Sequence, residues 1–311
     1  MNLRKSFLDN PVLIKHIRSR LRRQHLMPPL IMALVIASTI CWGSLALESG
    51  RRLTGLAFLL IVQSGILFVG GSSQVGLAVA QARTAGILDF HRISPQHPFS
   101  LAVGFILGGP ILEWVLFAAM TPFALVLGLV SRGEPLGLLA IYLDTVVVAL
   151  LYHTISMAAG LVGRAPNRQN YLGVLFLLMV LYSFLGRWMS TAGSPGFLTT
   201  IPVVSTALSD LNREALLFGI PVPVLLHSLL HQLFLLGVAL LAATRKMRQE
   251  QAPFLSKRQA LGAFVGVALL AASSLIETIR QQPAPTLPES RNGGLAYFHF
   301  LLWLAATVLL L

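Results

Sequence analysis

The sequence predicts an all-α fold, a polytopic bundle of transmembrane helices. The chain has 311 residues, of which 55% are apolar and only 11% are charged, whereas soluble domains contain about 45–50% apolar and about 25% charged residues. Its mean hydropathy is +0.77. The apolar residues also fall into runs that match the roughly 20 residues needed to cross a bilayer. This composition excludes both an ordinary soluble fold and a disordered chain.

The apolar runs predict about eight spans. They occupy residues 26–47, 53–80, 99–130, 136–162, 171–189, 222–244, 261–279 and 295–311. The third run is longer than a span requires, so we expect it to cross once with kinks at Gly108–Pro110 and at Thr121–Pro122. The last run ends the sequence without a charged flank, which is typical of a polypeptide that continues.

The distribution of basic residues predicts the orientation of the spans. Sixteen of the 23 lysines and arginines lie in residues 1–25, 81–98, 163–170 and 245–259, which alternate with loops that hold the other seven. Positively charged flanks stay on the cytoplasmic side. We therefore expect a multi-pass protein of the cell (inner) membrane with a cytoplasmic N-terminus. Lipid, rather than nucleic acid, accounts for the net charge of +12.

Residues 1–25 predict an amphipathic interfacial helix. Asn10 is a good helix cap, and Pro11 suits the first helical position. At helical spacing, apolar side chains share one face and basic side chains lie on others: Leu13, Ile14, Ile17 and Leu21 against Lys15, Arg18, Arg22 and Arg23. Such a helix suits the cytoplasmic interface beside anionic lipid. It acts either as a simple topology anchor or as an elbow that moves with the spans.

Residues 81–98 form a predicted cytoplasmic loop with apolar side chains among charges. Ile87, Leu88, Phe90 and Ile93 lie there, and Ser94–Pro95 would end a short helix. An exposed apolar surface with a basic rim is typical of a docking site for a partner protein. Contact of the same side chains with the lipid interface is the alternative.

Three segments together resemble the permease subunits of ABC-2-type transporters. The first is residues 10–15, Asn-Pro-Val-Leu-Ile-Lys, followed by an arginine-rich helix. The second is residues 83–95, Arg-Thr-Ala-Gly-Ile-Leu-Asp-Phe-His-Arg-Ile-Ser-Pro, followed by Leu-Ala-Val-Gly at 101–104. The third is residues 245–248, Arg-Lys-Met-Arg, with Leu-Ser-Lys-Arg-Gln at 255–259. The quoted residues make up about a tenth of the chain.

The resemblance implies a domain organisation and a partner. It implies an elbow helix in 1–25, a six-span permease core in 26–250 and two additional spans in 251–311. In this family the outer segment 191–221 folds as short re-entrant helices. The loop would be a coupling helix that docks on a separate ABC ATPase, with permeases paired as homo- or heterodimers and acting as an exporter. Its coupling residues would be Arg83, Ile87, Leu88, Asp89, Phe90, Arg92, Ile93 and Pro95.

The chain itself lacks the sequence for ATP hydrolysis. No Gly-x-x-x-x-Gly-Lys-Ser/Thr phosphate loop occurs in it. ATP would therefore bind the partner subunit, and we predict neither catalytic residues nor a cofactor for this chain.

Two acidic residues lie within predicted spans, Glu113 near the middle of the third and Asp144 in the fourth. A charge at mid-bilayer costs about 2.5–3.5 kcal/mol on insertion scales. Each carboxyl group therefore serves a substrate or proton pathway, or pairs with hydroxyls, indoles or a histidine such as His153 in helix packing.

His227 and His231 share a face of the sixth span because they are four residues apart. That spacing can hold a metal ion, but no third ligand lies nearby in the sequence, so we predict no metal site. Hydrogen bonding between helices and a role in a pathway are the other interpretations.

Two other function classes fit the same features. A non-transporting membrane anchor would recruit a cytoplasmic partner through the loop, and would tolerate apolar residues at positions 113 and 144. An ion-coupled transporter would require Glu113 and Asp144 and need no ATPase.

Overall fold

The computed structural model describes residues 10–46, 49–93, 96–132, 135–163, 200, 203–204 and 214–281. This part of the chain is mostly helical, as predicted. Five of its helices are long and apolar enough to cross a membrane: Arg23–Leu45, Arg52–Thr84, Ile111–Ser131, Pro135–Val162 and Val224–Arg248. The predicted spans at 171–189 and 295–311 lie outside the described residues. A total of eight crossings stays a prediction.

The described helices, in chain order, are α1 (Pro11–Arg20), α2 (Arg23–Leu45), α3 (Ser49–Gly65), α4 (Ser72–Thr84), α5 (Ile87–Ile93), α6 (Pro98–Gly108), α7 (Ile111–Arg132), α8 (Pro135–Val162), α9 (Val224–Arg248) and α10 (Lys257–Gln281). A π-helical segment, Ile66–Gly71, joins α3 to α4. Helix α8 is the most buried of the five candidate spans. It packs against α4 on one side and α9 on another. Helix α10 contains the predicted seventh run.

Helix α1 begins at the predicted cap. The Asn10 side-chain oxygen accepts hydrogen bonds from the backbone N–H groups of Val12 and Leu13, at 3.1 and 3.3 Å. The Asn10 amide donates to the Ser100 carbonyl at 2.5 Å. The cap therefore also fixes the start of α1 to the start of α6.

The rest of α1 lies along α6. The His16 ring is edge-on to Phe105, with ring centroids 5.9 Å apart. Burial, together with the charges of Arg20 and Lys15, lowers the pKa of His16 to about 4, so the ring is neutral at pH 7. The Arg20 guanidinium donates to the Gln74 side chain at 2.6 Å. Part of the predicted amphipathic helix therefore packs on protein.

The third apolar run is two helices rather than one kinked span. Helix α6 ends at Gly108 and α7 begins at Ile111. Pro110 has no N–H group to continue the hydrogen-bond ladder. With 11 residues, α6 is too short to cross a bilayer. Helix α7 contains Pro122 in its interior, and the second kink expected there stays a prediction.

Most of the outer segment 191–221, for which the resemblance implies short helices, lies outside the described residues. Its described C-terminal part begins a β-hairpin instead. Strands β1 (Glu214–Leu217) and β2 (Ile220–Pro223) pair antiparallel. The two residues between them, Phe218 and Gly219, both have positive φ, 53° and 87°. That conformation matches the right-handed twist of a two-residue hairpin. Because the hairpin extends to Pro223, the helix of the predicted sixth span begins at Val224 rather than at residue 222.

Candidate functional site

The loop between α4 and α6 folds as predicted into a short helix, α5. Gly86 permits the turn before it, because its φ of +71° is strained for other residues. Leu88 points inward and is 2% exposed, whereas Phe90 and Ile93 are 66% and 85% exposed. The predicted apolar surface is therefore formed by Phe90 and Ile93, and Leu88 belongs to the core.

Arg83, at the end of α4, fastens the loop to α8. Its guanidinium donates to the Leu161 carbonyl at 2.7 Å and also to the Gly163 carbonyl. These carbonyls lie at the C-terminus of α8, where the helix leaves acceptors without partners and carries partial negative charge. Arg83 therefore caps a candidate span.

Arg92, near the end of α5, makes the equivalent contact with α9. Its Nε donates to the Met247 carbonyl at 3.1 Å. Its Nη1 donates to Glu250 at 2.9 Å and to Asp89 on α5 itself. The loop is thus bound to the C-terminal ends of two candidate spans, α8 and α9.

The predicted coupling residues therefore divide into three groups: residues with polar contacts that hold the loop, residues in the core, and the exposed Phe90 and Ile93. Arg83 and Arg92 fasten the loop through their side chains, and Asp89 pairs with Arg92. Ile87 is half-buried against the same core cluster as Leu88. Pro95 lies outside the described residues. Sequence reasoning missed Glu250, because 158 residues separate it from Arg92.

Glu113 lies in the first turn of α7 rather than mid-helix. The Gly109–Pro110 break creates a new helix N-terminus here, and such an end favours a carboxylate. The side chain is buried and lies close to Gly70, where an added Cβ would be 3.4 Å from the Glu113 Cγ. Glu113 therefore lies where the N-terminus of α7 contacts the π-helical segment.

His153 on α8 pairs with backbone rather than with either acid. Its Nε2 lies 3.1 Å from the Leu67 carbonyl in the π-helical segment. The ring is also edge-on to Trp114, with centroids 5.7 Å apart. A Cβ at Gly71 would lie 2.5 Å from the same nitrogen. The residue therefore braces the π-helical segment against α8.

Asp144 lies in the contact between α8 and α9 and is fully buried. Its Oδ1 accepts a hydrogen bond from the Gln232 amide at 2.8 Å. Gln232 is a partner that we did not predict. A signal was available, because Gln232 follows His231 directly and lies one turn after Ser228 on the polar face of α9.

His227 and His231 lie on one face of α9, as predicted, with ring centroids 4.5 Å apart. Both ring nitrogens of His231 face backbone carbonyls, those of His227 at 2.8 Å and of Leu270 on α10 at 3.4 Å. No group of three or more metal-ligating side chains occurs in the described residues. The contacts fit helix packing between α9 and α10.

Comparisons with protein-family models, with curated proteins and with solved structures find no match to the chain. Function is therefore inferred from the residues of the chain itself.

Proposed function

We propose that this chain is the permease subunit of an ATP-driven ABC transporter, acting as an exporter with a separate ATPase. The observation that supports it most is the geometry of α5. The helix exposes Phe90 and Ile93, while Arg92 on α5 and Arg83 just before it hold the ends of two candidate spans. A partner that binds the exposed face can therefore move those spans.

The contacts favour a mechanical role over simple anchoring. A loop that only recruits a partner needs an exposed surface, but it does not need attachment to several spans. Here α4 leads directly into α5, Arg83 caps α8 and Arg92 contacts α9. In the proposed mechanism, closure of the ATPase pushes α5, the attached helices tilt, and the pathway between paired permeases changes its access.

The proposal includes the predicted topology. Eight spans with a cytoplasmic N-terminus in the cell membrane would place α5 in the cytosol, where an ATPase can reach it. The basic C-terminal turn of α9, with Arg245, Lys246 and Arg248, supports the same side.

Phe90→Asp with Ile93→Asp is expected to abolish binding of the ATPase without unfolding the permease. Both side chains are exposed, so carboxylates there add repulsion and hydration only at the docking surface. The full chain would be purified from its native membrane, and a co-purifying protein with a phosphate-loop motif would be identified by mass spectrometry and by ATP hydrolysis.

Ile220→Asp is the matched control, because Ile220 is 65% exposed on the hairpin, which is far along the chain from α5. Leu88 is unsuitable for this test, since a buried carboxylate there would damage the core. Unchanged recovery of an active ATPase with the double variant would contradict the proposal.

A further inference from the structure

The contact between α8 and α9 buries an unusual number of polar side chains for a membrane-spanning pair. Six of them are at most 3% exposed: Asp144, Thr145, His227, Ser228, His231 and Gln232. In a helix bundle within lipid, buried polar groups normally pair with one another or with backbone carbonyls. Two of these six do not complete that pairing.

Asp144 is the first exception. Gln232 donates to Oδ1, but Oδ2 is buried and accepts no hydrogen bond. No cationic side chain of the described part of the chain pairs with the carboxyl group. Burying a charged carboxylate with one oxygen unpaired is costly unless a cation or a proton neutralises the charge.

Ser228 is the second exception. Its hydroxyl is fully buried and has no hydrogen-bond partner. Several other hydroxyls in these helices donate to the carbonyl four residues earlier, as Thr145 does to Ile141 at 2.7 Å and Thr154 to Leu150 at 2.7 Å. Ser228 makes no such bond, although it is one turn from the Gln232 that holds Asp144. Its oxygen therefore remains available to a ligand.

We infer that Asp144 and Ser228 form a binding site for a small monovalent cation between α8 and α9. A carboxylate and a hydroxyl are hard oxygen ligands of the kind that bind hard cations. One negative charge matches one positive charge, whereas a divalent ion would leave net charge within the bilayer. Gln232 is a positioning residue, because its amide holds Oδ1 and orients Oδ2.

The ion is either Na⁺ or a proton, since both neutralise a single carboxylate. Other titratable side chains of the same two helices include Tyr142 and His153 on α8 and His227 and His231 on α9. The Tyr142 hydroxyl donates to Gln63 of α3 at 3.1 Å. These groups titrate whether or not Asp144 is present. A comparison with an Asp144 variant therefore isolates the contribution of the carboxyl group.

The test uses the thermal unfolding of the full chain in detergent. At pH 8 we expect NaCl, but not choline chloride at equal ionic strength, to raise the Tm in a saturable manner. Ligand at 100 times its Kd favours the folded state about 100-fold. If a proton is the ligand, the Tm in choline chloride instead rises as the pH falls from 8 to 5. Asp144→Asn should abolish the Na⁺ response or, if a proton is the ligand, remove the carboxyl group's contribution to the pH response.

Two further variants complete the test. Ser228→Ala should raise the half-saturating concentration about tenfold, the effect of losing one ligand worth about 1.4 kcal/mol. Glu113→Gln removes a buried carboxyl elsewhere and should retain the full response. Equal responses of wild type and Asp144→Asn to both Na⁺ and pH would overturn the site. Should Asp144→Asn fail to fold, an unchanged half-saturation in Ser228→Ala overturns it.

This inference does not depend on the proposed coupling to an ATPase. The cation response is measured on the isolated chain, so the α5 variants should leave it intact. Failure of the ATPase proposal therefore leaves the cation site standing, and failure of the cation site leaves the ATPase proposal standing.

Discussion

Arg92→Gln is expected to leave the ATPase bound while transport falls about 30-fold. The exposed surface of Phe90 and Ile93 stays unchanged, so the partner still docks. What the substitution removes is the contact from α5 to the Met247 carbonyl and to Glu250. Movement of α5 would then no longer carry α9 with it.

The magnitude follows from the environment of each contact. Asp89 and Glu250 have side chains that are 66% and 51% exposed, and exposed ion pairs contribute about 0–1 kcal/mol. The bond to the Met247 carbonyl is part-buried and charge-assisted, a type worth about 1.5–3 kcal/mol. A loss of about 2 kcal/mol corresponds to the 30-fold effect, at about 1.4 kcal/mol for each factor of ten.

The measurement is ATP-driven transport by the reconstituted complex, alongside its ATPase activity and composition. Arg248→Gln is the matched control, because Arg248 is an exposed arginine next to Met247. The substitution removes the same charge as Arg92→Gln. Wild-type transport by Arg92→Gln would show that the α9 contact carries no force. Loss of the ATPase from the complex would instead assign Arg92 to docking.

Regular helix is interrupted at two places that contact each other in the fold. In the sequence, one lies before α5 and the other after it. The π-helical segment interrupts the chain before α4, and the Gly109–Pro110 break separates α6 from α7. They meet directly, since a Cβ at Gly71 would lie 3.2 Å from the Pro110 Cβ. In the proposed mechanism, α4 and α6 tilt with α5 about the place where the two interruptions meet.

Polar side chains of α8 form hydrogen bonds at the π-helical interruption. His153 approaches the Leu67 carbonyl, and the Ser156 hydroxyl donates to the Ser72 carbonyl at 2.5 Å. An irregular helix leaves backbone carbonyls without their usual partners, and within lipid these must be satisfied by protein. The buried histidine of α8 is therefore explained by backbone geometry, whereas sequence reasoning considered it as a partner for an acid.

The sequence was informative where local chemistry decides the structure. Asn10 before Pro11 predicted the start of α1, and Ser94–Pro95 predicted the end of the helix whose last described residue is Ile93. Apolar composition predicted the five helices that are long and apolar enough to cross a membrane. Each of these features depends on residues within a few positions of one another, so pattern and spacing suffice.

Contacts between distant segments were not predictable in the same way. Nothing in the pattern of residues 83–93 shows that Arg83 meets α8 and Arg92 meets α9, because the partners lie about 80 and 155 residues away. The inward direction of Leu88 likewise depends on where α5 sits against the core. Composition predicted that all four apolar side chains of the loop form the docking surface. Only the packing of α5 shows that Leu88 is buried while Phe90 and Ile93 are exposed.

Gly160→Ala is expected to destabilise the protein by about 1–3 kcal/mol, the usual cost of overpacking a well-packed core. A Cβ at this position would lie 2.6 Å from the Gly76 carbonyl oxygen and 3.2 Å from the Val79 Cβ. The closest atom belongs to the backbone, so no side-chain rotation can relieve the clash. Helices α4 and α8 would have to separate along their contact.

Gly237→Ala on α9 is the matched control, because nothing in the described part of the chain lies within 4 Å of a Cβ there. Alanine is better than glycine in a helix by about 0.8–1.0 kcal/mol, so this variant should be neutral or slightly more stable. Thermal unfolding of both variants in the same detergent gives the comparison. Equal Tm values would mean that α4 and α8 are less closely packed than the Gly76–Gly160 approach requires. A selective loss in Gly160→Ala should also weaken the Arg83 contacts, since Leu161 and Gly163 follow directly on the displaced helix.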